Sequence, residues 1–407
     1  MPTLYRCRVL TPSGPDTMTL LDDALVEIDD DGRFARIEPF DGRMVNEDLR
    51  PAVLLPGFVD AHVHFPQTRI VGSASGPLLQ WLETSTFPEE ERFADAAHAT
   101  QVAAEFATRL AAAGTTLSMV YSSVHPDACH ALFEALDQKG LRAIAGPVLM
   151  DADSPAALTV PVEPAMESLE GLVEAWQGHD DRLQVAVIPR FALSCSMEMM
   201  QAGAALAQKH GLWVSTHLSE NPDECRIACE RFGTDDYLSV YEQAGLLHDR
   251  SIFAHCIHLS DDEWERFAAA GAIVAHCPDS NAFLGSGTMP LDAVDARAIP
   301  IVMGSDIAAG RSFQIPRALS YAYDNSLRCG HPLSLARMLW MGTRGAALTL
   351  KHDHVGAIEV GLEADMALYE VPWWADSPET ILASVFFDHD RPGPIGTWVR
   401  GRQVHYL

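Results

Sequence analysis

Pro56-Gly57-Phe58-Val59-Asp60-Ala61-His62-Val63-His64 reads as a buried strand that ends in two histidines one residue apart. On a strand, residues two apart project to the same side. His62 and His64 therefore face one cavity, as two imidazole ligands of a single metal would. Two ordinary core histidines would give the same local pattern, so the rest of the chain has to supply the missing ligands.

Downstream of this stretch, strands and helices alternate. The apolar runs predict strands over residues 115–121, 141–150, 183–190, 212–217, 251–255, 272–275 and 299–305. Helical periodicity with glycine or proline stops predicts helices over 93–113, 126–139, 164–176, 197–210, from about 221, and over 261–270 and 315–323. Regular alternation means a parallel sheet with crossover helices. The expected fold class is α/β, a (β/α)8 TIM-type barrel over residues 56–351. An open dinucleotide-binding sheet would need a Gly-x-Gly-x-x-Gly turn after an early strand, and none follows one. Both ends of the chain are β-rich instead, at 4–9, 24–28 and 34–37, and again at 356–359, 366–369 and 397–400. Residues 1–55 and 352–407 are expected to pair into one small discontinuous β-sandwich domain.

Barrel enzymes place their chemistry at the C-terminal ends of the strands. The predicted ends carry His62 and His64, then Arg190-Phe191, His217 followed by Glu220, His255, and Ser305-Asp306. With 17 histidines in the chain, any one match is cheap; the coincidence of all of them is not. Three histidines and a carboxylate suit one catalytic Zn2+ with a water position left open, and iron or manganese would take the same donors. Such a metal lowers the pKa of its water to roughly 7, and Glu220 could serve that water as general acid/base. A paired-metal site would call for a lysine on the fourth strand, where this chain has Arg190.

Composition bounds the function. Hydrophobic residues make up 48% of 407, enough for a sizeable core. The formal net charge of -28 disfavours nucleic acid polymers and anionic membranes as partners. Neither a signal-like leader nor a membrane-length apolar run is read, and the eight cysteines fit reduced thiols, so the expected location is the cytoplasm.

On these residues the chain resembles the amidohydrolase superfamily, whose barrels carry His-x-His on strand one, histidines on strands five and six and an aspartate on strand eight. Thr216-His217-Leu218-Ser219-Glu220-Asn221 and His276-Cys277-Pro278-Asp279-Ser280-Asn281 are similar to its mononuclear purine and pterin deaminase branch. His64-Phe65-Pro66-Gln67, Leu79-Gln80-Trp81-Leu82, Thr86-Phe87-Pro88 and residues 189–196 resemble the guanine deaminase family in particular. The resemblance implies one zinc held by His62, His64, His217 and Asp306. It implies His255 contacting either the metal or its water, and Glu220, His255 and Asp306 as the catalytic groups. Gln67, Arg190 and Phe191, with His217 and Glu220, would hold the substrate: Arg190 as donor to a carbonyl oxygen, Gln67 on a ring edge, Phe191 against a ring face. The implied reaction is hydrolysis of guanine to xanthine and ammonia in purine catabolism, by a homodimer, with residues 78–88 carrying Trp81 and Phe87 as a lid. Deamination of 8-oxoguanine, a pterin, an adenosine derivative or a triazine would need the same ligands. A non-catalytic scaffold would have lost them. Asp306-Ile307-Ala308-Ala309-Gly310 departs from the more glycine-rich run usual after this aspartate.

Overall fold

The computed structural model describes residues 2–74 and 76–407. Strand β1 (Thr3–Gly14) pairs antiparallel with β2 (Thr17–Ile28), which pairs with β3 (Phe34–Pro39). β4 (Glu47–Pro56) runs parallel to β1 and leads directly into β5 (Phe58–His64). From the far end of the chain, β14 (Met366–Tyr369) pairs antiparallel with β4, and β15 (Gly396–Val399) and β16 (Arg402–Tyr406) extend the sheet. The two β-rich ends thus share one continuous seven-stranded sheet, ordered β16-β15-β14-β4-β1-β2-β3. It has its own core, in which Tyr5, Cys7 and Val9 alternate inward against Val26, Leu54, Met366, Leu368 and Trp398.

The barrel strands are β5, β6 (Thr115–Tyr121), β7 (Arg142–Gly146), β8 (Val148–Leu149), β9 (Leu183–Pro189), β10 (Trp213–Leu218), β11 (Ser251–His255), β12 (Ile273–His276) and β13 (Ile301–Met303). Neighbours run parallel in the order β5-β6-β7-β9-β10-β11-β12-β13, with β8 also against β9. The fold is a TIM-type barrel. The expected third strand over 141–150 is two pieces, because Pro147 offers no N–H to the ladder at its middle. β5 and β6 are buried at every residue. Helices cover the outside of the barrel and its own side chains fill the inside, so both faces are dry.

The seam between β13 and β5 is closed beyond β13, at the C-terminal mouth. Asp306 N–H donates to the His62 carbonyl at 2.8 Å and His64 N–H to the Ile307 carbonyl at 3.3 Å. Asp60 reinforces it, accepting from Ser305 N–H at 3.0 Å and from Ser305 Oγ at 2.5 Å. A side chain at residue 304 would place Cβ 2.7 Å from His62 Cβ, so Gly304 is what lets the two strands approach. Gly57 plays the same part at the other end: a Cβ there would lie 2.2 Å from Thr116 Oγ1.

Several expectations need correction. The helix predicted over 93–113 begins at Ala96, where Asp95 caps it by accepting from Ala97 N–H at 2.9 Å. Residues 356–359 form no strand; Ile358 N–H donates to the Thr11 hydroxyl instead of to a ladder. The stretch after His64 is a series of short helical turns: Phe65–Gln67, Leu78–Trp81, Leu82–Thr86, Phe87–Glu90 and Glu91–Ala94. No helix among the described residues is long and apolar enough to cross a membrane.

Candidate active site

The barrel mouth gathers the residues singled out from the sequence. His62 Nε2 lies 3.2 Å from His64 Nε2, which lies 3.3 Å from His217 Nε2. Asp306 Oδ1 is 3.2 Å from His62 Nε2 and 3.3 Å from His64 Nε2. One ligand atom from each of these four buried residues falls within 4.8 Å of the others. The backbone around them is bent at several strand ends. His255 (φ 71°), Asp306 (φ 49°) and Ser219 (φ 51°) all sit in the left-handed region at strand ends, a conformation that costs about 1–3 kcal/mol each and concentrates at functional sites.

The donor set fits a divalent cation. His217 Nδ1 lies 2.5 Å from the Arg190 carbonyl. A carbonyl only accepts, so Nδ1 carries the proton and Nε2 offers its lone pair to the cluster. Burial pushes the imidazolium forms down, His64 to about 3 and His217 well below its usual value, so both rings stand neutral. Burial alone would raise Asp306, but hydrogen bonds with His62 and His64 hold its carboxyl well below the usual range. Neutral imidazoles around an ionised carboxylate are the protonation states a metal requires.

Around this cluster lies a second tier. His255 Nδ1 is 2.8 Å from Asn281 Oδ1, and its Nε2 faces Glu220 Oε2 at 3.4 Å and Asp306 Oδ2 at 3.8 Å. Burial lowers His255, but the Glu220 and Asp306 carboxylates outweigh it and hold the imidazolium above its ordinary value. Burial pushes Glu220 up to about 7, against the opposing charge of His255. Ser286 Oγ donates to Glu220 Oε1 at 3.0 Å, and Ser280 Oγ to Asp306 Oδ2 at 2.5 Å. Glu224 holds the turn behind Glu220 by accepting from the N–H groups of Glu220 and Asn221 at 3.0 and 3.1 Å.

A small cavity opens onto the cluster, lined by His64, His217, Glu220 and Asp306 on one side. Gln67, Arg190, Phe191, Leu78, Trp81, Leu82, Leu284 and Ala309 complete it. All the predicted site residues that line this space do so from different strand ends or from the segment after β5. Trp81 is one of them, with its indole N–H anchored on the Ser73 carbonyl at 2.9 Å. Phe87 is not: it lies under the Arg190 guanidinium, 5.6 Å from ring centre to Cζ. The unusual run after Asp306 has a use, since Ala308 N–H donates to Gln67 Oε1 at 2.9 Å. Sequence reading missed Ser286, Asn281 and, above all, Glu90, which is buried against Gln67 and Arg190. Asn281 lay inside a motif already singled out. Glu90 sits in Glu89-Glu90-Glu91-Arg92, a charge run that reads as a solvated face.

A family model for amidohydrolases matches residues 53–404. The chain belongs to the amidohydrolase family. Within that family it is 38% identical to guanine deaminase of Escherichia coli K12 over 326 residues, 79% of this chain and 74% of that one. It is 35% identical to a probable guanine deaminase of Deinococcus radiodurans over 413 residues, 94% of each. The amidohydrolase barrel also superposes on the crystal structure of guanine deaminase from C. acetobutylicum with bound guanine in the active site. There the TM-score is 0.92 at 28% identity, over 99% of this chain and 100% of that one.

Proposed function

We propose that this protein is a guanine deaminase, hydrolysing guanine to xanthine and ammonia. The observation that carries the reading is one cavity lined by Arg190, Gln67 and Glu220 together with His64, His217 and Asp306 of the ligand cluster. Its kinship with guanine deaminases supports the choice of substrate.

His62, His64, His217 and Asp306 would hold one zinc, which when bound supplies a Lewis acid and lowers the pKa of water to roughly 7. Arg190 donates to the purine carbonyl oxygen, and Gln67 presents an amide N–H to the ring edge. Phe191 and Trp81 offer apolar surface to the ring faces. Glu220 then takes a proton from the attacking water and delivers it to the ring nitrogen beside the amine-bearing carbon. A carboxyl with its pKa near neutrality can do both. His255, protonated and directed by Asn281, donates to the oxygen that develops charge on attack. Asp306 and His255 together orient the water. A second proton passed through Glu220 lets ammonia leave. Leu78, Trp81 and Leu82, which line the cavity from the segment after β5, would exclude bulk solvent. A cytoplasmic homodimer is the expected form of the enzyme.

The test is ammonia release by zinc-loaded protein from guanine, 8-oxoguanine, a pterin, adenosine and a triazine, with metal content measured on the same sample. Guanine should give the highest kcat/KM, and zinc should be present at one per chain. A better amino-heterocycle would reassign the substrate, and a metal-free, inactive protein that zinc does not activate would favour a scaffold.

A further inference from the structure

Glu90, the last residue of the helix Phe87–Glu90, is 1% exposed. Its two oxygens serve two different donors. Oε1 accepts from Gln67 Nε2 at 3.1 Å, and Oε2 accepts from Arg190 Nη1 at 2.5 Å. Gln67 Oε1 in turn accepts from Ala308 N–H. A backbone N–H only donates and a carboxylate only accepts, so the Gln67 amide is fixed from both ends. Both of its partners donate, and each meets an acceptor oxygen of the carboxylate. A glutamine in its place would meet one of the two donors with its own NH2.

The pair also sets the charge of the purine-facing wall. Arg190 is 3% exposed, and a guanidinium stays charged however deeply it is buried. Alone it would make the cavity a site for anions. With Glu90 against Nη1 the wall carries no net charge, while the other guanidinium N–H groups remain free to meet a carbonyl oxygen. We propose that Glu90 is a specificity-determining positioning residue, making the pocket bind a neutral purine and reject an anionic one. The proposal rests on the purine-binding reading above and says more than it. Exchanging the amine of guanine for a carbonyl creates a ring N–H between electron-withdrawing groups, so xanthine gives up a proton more readily than guanine does. An unpaired arginine would retain that anion. The Arg190–Glu90 pair favours its release.

Calorimetric binding of xanthine and hypoxanthine to zinc-loaded wild type, E90Q and E90D tests this, at about pH 6, where both ligands are neutral, and about pH 8.5, where xanthine is largely an anion. Wild type should bind xanthine more weakly at the higher pH. E90Q should reverse that order and bind the anion about tenfold more tightly than wild type, the scale expected when one partner of a close charge pair is removed. In steady-state assays of E90Q, KM for guanine should rise about tenfold, with a much smaller fall in kcat. E90D, which keeps the charge, should retain the preference against the anion even where both affinities fall. Equal weakening of both ligands in E90Q at both pH values would reduce Glu90 to a packing role and overturn the proposal. Loss of the preference in E90D would overturn it too, by placing the effect in geometry. These binding ratios do not require turnover, so a failure to deaminate guanine would sink the functional reading and still leave Glu90 decided.

Discussion

Glu220 is buried among apolar and polar neighbours whose effects oppose one another, and its protonation near pH 7 is the balance of them. Its own role is testable by Glu220→Gln, which should keep the zinc and lose about 10²–10⁴ in kcat. Near-normal turnover would remove Glu220 from the proton path. The Ser286 hydroxyl, donating to Oε1, favours the ionised form. Ser286→Ala removes that support, so the carboxyl should hold its proton to higher pH. A base must be ionised to accept the water proton, so the acid limb of kcat/KM should move to higher pH by about one pH unit. A limb that stays in place, or moves toward acid, would break the link between Ser286 and the titrating group. The clustered histidines were legible in the sequence because barrel strands deliver their last residues to one mouth. Ser286 was not, since it lies in an irregular loop after the helix Pro278–Phe283 and reaches Glu220 from 66 residues away. No spacing rule connects the two.

At the scale of elements, the barrel and the terminal sheet are held together by a buried charge cluster as well as by chain connection. Arg142, the first residue of β7, donates through Nε to Asp365 at 2.8 Å and through Nη2 to Glu363. Arg400 and Arg33 reach Glu363 from the sheet side, each at 2.9 Å. Arg142→Met would leave two carboxylates buried without their central cation, and a loss of about 3–5 kcal/mol is expected. Urea unfolding measures it. A change below 1 kcal/mol would mean that water or Arg400 takes over. The strands at both ends of this contact were readable from β-rich composition, but their order was not. β4 is hard to see in the sequence because Ala52-Val53-Leu54-Leu55 runs straight into the strand of His62 and His64 and reads as part of its approach. Its partner β14 lies more than three hundred residues further on, and pairing over such a distance leaves no periodic trace.

For the molecule as a whole, acidity enters twice. The -28 formal charge lies on a chain in which burial holds His64, His217, His276 and His352 neutral. His352 is an example outside the active site. Burial, aided by His354 and Arg142, pushes its imidazolium down to about 4. The unfolded chain takes up that proton near pH 6.5, while the native one resists until about 4. The contribution to stability is therefore full above about pH 6.5, and is lost as the pH falls toward 4. The gap amounts to about 3 kcal/mol. Comparing the pH dependence of unfolding in wild type and His352→Asn isolates it from the other buried histidines. The wild type should lose more stability between pH 7 and pH 4. Parallel curves would mean that His352 is protonated in the fold without penalty.

The strand order of the terminal sheet has a consequence for how the chain is made. On the ribosome β1 to β4 emerge before the barrel strands, and β4 presents an unpaired edge where β14 will later sit. Every barrel strand is synthesised before that edge is filled. An exposed edge is a template for the wrong neighbour, and long-range pairing is slow once its partner arrives. That edge therefore stays open to mispairing while the whole barrel is being made. β14, remote from the chemistry, is the strand that ends it.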